Sequence, residues 1–560
     1  MKAAVFAARA RERLSFEGLF LLILLVTIVL RFYALDLKLF HHDEAIHAWF
    51  SYRLLTEGIY SYDPMYHGPF LYYMTAGIFS LLGDSDLIGR LFPALLGTLL
   101  VPLLYPIYRL GYLDKKQTIV AALFLAVSPN MVYFSRFLRN DIFIVFFTMV
   151  LLVALLYYFE RQKMQYALIA GAAIGFGMTT KENMPIIVLI FGAYLLYLVW
   201  TRKVRLPKHW IRDLALGALV AVGIMAVLYS SFGAHPEVLM DGWLRAIEHW
   251  TSMHQAQRLG GPPYFYILLF LLYEVPILIL AVVGTLQFVD IPGIVSRWRE
   301  KRMNQTESPG GTEGAAEIEE EAPSETAAQP IEQTQGFKDR LRDILSGTGE
   351  LRPIDRQKEF ARFAIFWMLL SLAVYAYIGE KVPWLILHQL LPMIFVAVYM
   401  MTTKKAVVAV VAGIFLVAMM FHVAFTPADI NEPIVQVQNS EDLREVFAKI
   451  DAADKVAVAT DSYWPLPWYY RGDSASKLAY YSQKVSESTI YGGDFDVVIT
   501  HDADTYPALD GYVKETYRLN YWFSYEENKD RLLEYYFLRD GKMGSRNLEI
   551  FSRVPAGAAA

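Results

Sequence analysis

Apolar runs long enough to cross a lipid bilayer recur along this chain, and nothing else in the sequence constrains its fold as strongly. The first, residues 16–35, is almost free of charge over the roughly 20 residues that the hydrocarbon core requires. Similar runs near 87–108, 117–135, 141–159, 165–180, 185–200, 213–231, 264–289, 360–378, 384–401 and 405–425 predict a polytopic α-helical membrane protein with about eleven transmembrane helices. No small-residue cleavage site follows the first run, so it is expected to stay in the mature chain. A hydrophobic share of 55% agrees with a protein that lies mostly in lipid. The absence of cysteine removes disulfides, thiolate metal sites and cysteine nucleophiles, and a net charge of −5 gives no sign of nucleic-acid binding.

Basic residues set the expected orientation. Arg9, Arg11 and Arg13, Lys115 and Lys116, Arg161 and Lys163, the stretch Arg202 to Lys208, and Lys404 and Lys405 all fall on one side if the spans are threaded in order. That side is expected to be cytoplasmic, with the amino terminus inside and everything after Phe425 outside the cytoplasm. Residues 1–425 then form the membrane domain of a multi-pass cell-membrane protein. Within it, 303–336 is acidic, rich in Pro, Gly and Ser, and expected to be a disordered cytoplasmic tether. From 426 to 560 the pattern changes: "KVAVAT" and "DVVITH" read as buried strands and "EDLREVFAKI" as an amphipathic helix, which predicts a small extracytoplasmic α/β domain. No glycine-rich phosphate fingerprint follows either strand.

The loop after the first span, "FHHDEAIHAWFSYRLLTEG", crowds His41, His42 and His47 around the adjacent acids Asp43 and Glu44. Apolar residues at Ile46, Trp49, Phe50 and Leu54 predict a helix lying on the membrane surface and ended by Gly58. Acids at a helix start serve as caps and complement the dipole. Capping accounts for one acid and leaves the histidines and the downstream "YDPMYHGPFLYY" without a purpose. A carboxylate here can act as general base toward a hydroxyl. The helix start lowers its pKa and burial raises it, and the sequence leaves the balance open.

The order of these motifs resembles a known superfamily. A span, a "DE" pair, "HGPFLYY" and "GRLFPALLGTL" are similar to the GT-C membrane glycosyltransferases that use polyprenyl-phosphate sugars, such as protein O-mannosyltransferases and lipid A aminoarabinose transferases. With "SPNMVYFSRFLRND", "TTKEN", "GEKVPWLILHQLLP" and "DSYWPLPWYYRG" included, the chain most resembles the archaeal-type flippase-activity-associated family linked to N-glycosylation. It departs from the better-studied relatives at "HGP", where they often have "HPP". The resemblance implies GT-C architecture and an inverting transfer from a polyprenyl-phosphate-linked sugar to an extracytoplasmic glycan, lipid or protein. The alternative is a non-catalytic accessory that binds a lipid-linked sugar and assists its flipping.

Charges at membrane margins are costly unless paired or functional. Arg136, Arg139, Lys181 and Lys381 are the candidate phosphate contacts, because guanidinium and ammonium groups grip phosphate oxygens and stabilise a leaving phosphate. Asp141 is expected to position that cluster. Asp43 and Glu44 are the candidate catalytic acids, with His42 and His67 lining the substrate. The competing expectation pairs Arg139 with Asp141, Lys181 with Glu182 and Lys381 with Glu380 as structural ion pairs. His42, Asp43, Glu44 and His67 also offer ligands to a divalent metal, but their spacing fixes no geometry and requires none. His249 and His254 read as loop histidines. An ion-driven transporter is disfavoured, since the sequence shows neither paired broken helices nor a charge at mid-bilayer.

Overall fold

A computed structural model of the chain describes residues 2–58, 60–256, 261–290 and 351–554, without the side chains of 2–14, 243, 254 and 256. The acidic segment 303–336 lies outside the described residues. In chain order the membrane part runs α1 (Lys2–Phe32), α2 (His42–Glu57), α3 (Phe70–Leu82), α4 (Asp86–Leu99), α5 (Leu104–Arg109), α6 (Lys115–Val127), α7 (Pro129–Ser135), α8 (Asn140–Arg161) and α9 (Met164–Met178). It continues with α10 (Met184–Trp200), α11 (Trp210–Tyr229), α12 (Val238–Ala256), α13 (Phe265–Tyr273), α14 (Val275–Val289), α15 (Arg356–Tyr377), α16 (Leu387–Ala397) and α17 (Thr403–Phe425).

Among the described residues, 6 helices are long and apolar enough to cross a membrane, or up to 8 if each bent pair counts as one span. The eleven sequence runs all fall on helices or bent pairs, but α9 and α10 have 15 and 17 residues. At 1.5 Å per residue they reach about 22 to 26 Å, short of the roughly 30 Å core. The short apolar α3 was not anticipated, because its 13 residues fall below the span criterion.

The absence of paired broken helices was a wrong expectation. Helices α6 and α7 meet at 56°, and α13 and α14 at 111°. Pro129 and Pro276 sit in the first turn of α7 and α14, where a proline is tolerated but the preceding helix cannot continue through it. The backbone groups freed at the first break find partners. Arg31 donates to the carbonyls of Leu125 and Ala126 at 2.7 and 3.3 Å. The buried Glu274, at the second break, accepts from Ser128 Oγ at 2.6 Å, from the Asn130 N–H at 3.1 Å and from Asn130 Nδ2 at 2.9 Å. The two breaks therefore close on each other.

The carboxy-terminal part is a six-stranded sheet of order β1-β5-β6-β4-β2-β3, formed by β1 (Gln438–Asn439), β2 (Val456–Val458), β3 (Leu478–Tyr480), β4 (Val497–His501), β5 (Tyr512–Phe523) and β6 (Met543–Arg553). Strand β2 runs parallel to both β3 and β4, while β5 and β6 form a long antiparallel pair. Helix α18 (Leu443–Ala452) buries Val446 and Ile450 against Val456, Val458, Ile499, Leu548 and Ile550. Both strands and the helix read from the sequence are present.

The sheet is fastened to the loop between α1 and α2. Asn439 Nδ2 donates to the Phe40 carbonyl at 2.7 Å, and the Phe40 N–H donates to Tyr469 Oη at 2.9 Å. Trp468 Nε1 and Tyr469 Oη both donate to Asp86, at 2.7 and 2.6 Å, and Arg471 pairs with Asp84. Trp468, Tyr469 and Arg471 of "DSYWPLPWYYRG" thus clamp the membrane part.

Candidate functional site

Helix α2 begins with a capping box in which the Asp43 side chain takes no part. His41 is the N-cap: its Nδ1 accepts from the Asp43 N–H at 3.0 Å, and Glu44 accepts from the His41 N–H at 2.9 Å. Gly58 closes the helix at φ 67°, as its placement predicted. With the cap filled by others, the Asp43 side chain projects into a cavity of about 670 Å³.

His42, Asp43, His67, Arg139 and Lys181 all line this cavity. Arg139, between α7 and α8, pairs with Asp43, lies 3.7 Å over the Trp384 ring and approaches Asp141 Oδ2 to 3.8 Å. Behind the wall, the buried Asp141 accepts from Lys181 Nζ at 2.9 and 3.0 Å and lies 3.1 Å from His388 Nε2. Of the neighbour pairings expected from the sequence, Arg139 with Asp141 is present, whereas Lys181 goes to Asp141 and Glu182 goes to His67 Nδ1 at 2.9 Å.

Burial pushes the Asp43 carboxyl upward, but the Arg139 guanidinium paired with it outweighs burial and holds it well below the usual carboxylate range. The balance left open by the sequence therefore falls to the ionised form. Burial also keeps His47 neutral, beside Tyr72 Oη at 2.8 Å.

Three expected site residues lie elsewhere. Glu44 is fully buried and holds Arg90 Nε and Nη2 at 2.8 and 2.5 Å and the Leu138 N–H at 2.8 Å. It faces away from the cavity because the cap bond to His41 turns it inward. Arg136 spends its guanidinium on the carbonyls of Leu30, Arg31, Tyr33 and Ala34 at the end of α1. Lys381 donates to the carbonyls of Tyr375, Ala376 and Ile378, closing the end of α15. In place of these, Glu380, Trp384 and Trp464 line the cavity. All three sit in motifs already singled out, but a loop sequence does not say which of two neighbours turns inward. His249 also lines the cavity from α12, while the side chain of His254 lies outside the described residues.

The "HGP" departure has a structural reason. The Gly68 N–H donates to the Thr180 carbonyl at 3.1 Å and the Phe70 N–H to the Thr179 carbonyl at 2.9 Å, so this turn is strapped to "TTKEN". A Cβ on Gly68 would meet the Thr179 carbonyl oxygen at 2.2 Å, and proline would also remove the donor. The strap fixes His67, at φ 66°, opposite Glu182. Gly68→Ala is expected to lower stability by about 1 to 3 kcal/mol and to reduce activity further, read from melting temperature and turnover together. An alanine variant matching the parent in both would contradict the strap.

His41 supplies a pH dependence. Burial lowers its pKa from 6.5 to about 4, and Nδ1 must stay unprotonated to accept from Asp43 while Nε2 meets the Gln436 carbonyl. The unfolded chain takes up a proton near pH 6.5 and the folded chain resists until about pH 4. This contribution is complete above pH 6.5 and is lost on acidification toward 4, amounting to roughly 3 kcal/mol. His41→Asn keeps a capping oxygen and should flatten the melting temperature between pH 6.5 and 4.5; an unchanged slope would refute this assignment.

Among the described residues no group of three or more His, Asp or Glu side chains is arranged to hold a metal ion. Of the possible ligands, Glu44 is turned into the core and His67 is engaged by Glu182.

Residues 66–229 match the family described as dolichyl-phosphate-mannose-protein mannosyltransferase. Among solved structures, ArnT from Cupriavidus metallidurans, bound to undecaprenyl phosphate, aligns at a TM-score of 0.51 and 13% identity over 95% of this chain and 98% of that one. The Archaeoglobus fulgidus oligosaccharyltransferase AglB, in complex with an inhibitory peptide and a dolichol-phosphate, aligns at 0.44 and 13% identity over 87% and 69%. The Pmt1-Pmt2 protein O-mannosyltransferase complex of S. cerevisiae, bound to the sugar donor, aligns at 0.34 and 22% identity over 39% of this chain. The chain spans about a third of that yeast chain's length, 33%. No curated protein matches in sequence. The protein is a multi-pass membrane protein with a carboxy-terminal sheet. Its fold is that of the GT-C superfamily of membrane glycosyltransferases.

Proposed function

We propose that this protein transfers one sugar from a polyprenyl phosphate to an acceptor outside the cytoplasm. The observation that carries the reading is the Asp43–Arg139 ion pair at the wall of a 670 Å³ cavity that also holds Lys181. The donor's phosphate competes with Asp43 for Arg139, and Lys181, steadied by Asp141, adds the second cation. Once Arg139 turns to the phosphate, the Asp43 carboxylate is released and its basicity rises. It then accepts the proton of the acceptor hydroxyl as that oxygen bonds to the anomeric carbon. The bond from that carbon to the phosphate oxygen breaks, and the polyprenyl phosphate leaves against Arg139 and Lys181. A single displacement of this kind inverts the anomeric centre. Because Asp43 is a weak base until Arg139 lets go, donor binding comes before acceptor activation.

The basic loops gather at the end of the bundle away from the cavity, where Lys116 reaches Thr403 at 2.8 Å and Arg356 pairs with Glu160 at 2.6 Å. This supports a cytoplasmic amino terminus and an outward-facing cavity. The division into a membrane domain, 1–425, and an outer domain, 426–560, follows. The likeness to ArnT over nearly the whole chain supports the fold on which this chemistry is placed.

The strong neutralisation of Asp43 by Arg139 also favours a second reading, an accessory that grips a lipid-linked sugar without cleaving it and assists its flipping in N-glycosylation. Purified protein incubated with radiolabelled polyprenyl-phosphate sugars and a membrane acceptor extract separates the two. Transfer of label to the extract is the expected result; saturable donor binding without transfer would replace the first reading by the second.

A further inference from the structure

The outer sheet holds polar and aromatic side chains that the transfer step leaves unused. Strand β2 lies between β3 and β4, all parallel, so the chain passes from β2 to β3 on one side and returns to β4 on the other. At such a reversal open α/β sheets take their ligands, in the crevice beyond the carboxyl ends of the strands. Here that crevice is bordered by Thr460, Asp461 and Ser462 after β2 and by His501 at the end of β4. Thr460 Oγ1 lies 2.8 Å from His501 Nδ1, and Asp461, 74% exposed, lies 3.9 Å from the same nitrogen. Arg546 Nη1 donates to Ser462 Oγ at 2.8 Å.

Aromatic rings lead from this crevice to the cavity. Tyr480, 37% exposed, stands 5.5 Å from Tyr463, and Tyr463 stands 6.1 Å from Trp464, which lines the cavity. The exposed Tyr480 and the half-buried Tyr463 and Trp464 offer ring surface to the C–H faces of pyranose rings, while a carboxylate, hydroxyls and a guanidinium beside them match sugar hydroxyls. An extended peptide would instead pair with the free edge of β3, but that strand has only three residues.

We propose that the crevice is an acceptor subsite for an oligosaccharide, whose end passes Trp464 to reach Asp43. The assignment of that end as the transfer point rests on the proposed function; the binding of the oligosaccharide does not. The test uses the full chain as Asp43→Asn in nanodiscs, probed with an array of hexose, N-acetylhexosamine and uronic-acid oligosaccharides, with undecaprenyl monophosphate binding measured in parallel. At least one oligosaccharide should bind saturably, and Tyr480→Ala and Asp461→Asn should each weaken it tenfold or more without altering the undecaprenyl monophosphate titration. Both side chains are solvent-facing, so the variants should fold. No oligosaccharide bound, binding indifferent to both variants, or a peptide array captured in a Tyr480-dependent manner would each overturn the subsite. Oligosaccharide binding here together with no transfer of label by the parent chain keeps the subsite and overturns the transfer reading.

Discussion

Asp43→Asn should lower the rate of sugar transfer by about 10²- to 10⁴-fold, the range lost when a positioned acid–base group is removed. Donor binding should hold or tighten, because Arg139 then loses the carboxylate that competes with phosphate. The asparagine keeps the size of the side chain, and the cap belongs to His41 and Glu44, so α2 should stay intact. Single-turnover transfer together with equilibrium donor binding reads both effects. Full activity in this variant would remove Asp43 from the chemistry.

The adjacent acid should behave differently. Glu44→Ala strands the buried Arg90 guanidinium and takes the acceptor from the His41 and Leu138 N–H groups. Breaking a buried ion pair from one side costs about 3 to 5 kcal/mol. The loss spreads to the site, since His41 precedes the segment bearing Asp43 and Leu138 precedes Arg139. A steep fall in melting temperature is expected, with donor binding weakened along with it. Glu44→Gln, which keeps the acceptor oxygen, should fall between the two. A Glu44→Ala protein that melts like the parent would show that the pair with Arg90 does not organise the loop.

The contrast between these two acids marks where the sequence stops being readable. Apolar length and motif order were enough to read the helical membrane part and the carboxy-terminal sheet, because burial in lipid and strand alternation are local properties. Which of two neighbouring side chains faces the cavity is not local. Residues one apart on a helix diverge by about 100°, and a single cap bond decided that Glu44 turned in and Asp43 out. The same holds for Arg136, taken by the carbonyls at the end of α1, and for Lys381, which caps α15 while Glu380 lines the cavity.

The long-range partners were equally hidden. Asp141 was expected to position the cations, yet its bond to Lys181 crosses 40 residues, and its contact with His388 crosses 247. No periodicity encodes such pairs. The glycine of "HGP" did carry a signal, since a residue without Cβ marks a close backbone approach, but the surface it approaches, Thr179 and Thr180, became visible only in three dimensions. The bends at Ser128 and Glu274 were signalled by Pro129 and Pro276, whereas the bond joining them was not.

The exchange of Arg139 from carboxylate to phosphate is the step on which the proposed transfer depends, and undecaprenyl monophosphate titrated into the full-length parent and the Arg139→Gln variant tests it most directly. The account predicts saturable binding to the parent and at least tenfold weaker binding to the variant, with the salt sensitivity of a charge-assisted contact. Equal affinity in the two proteins, or no saturable binding to either, would contradict it.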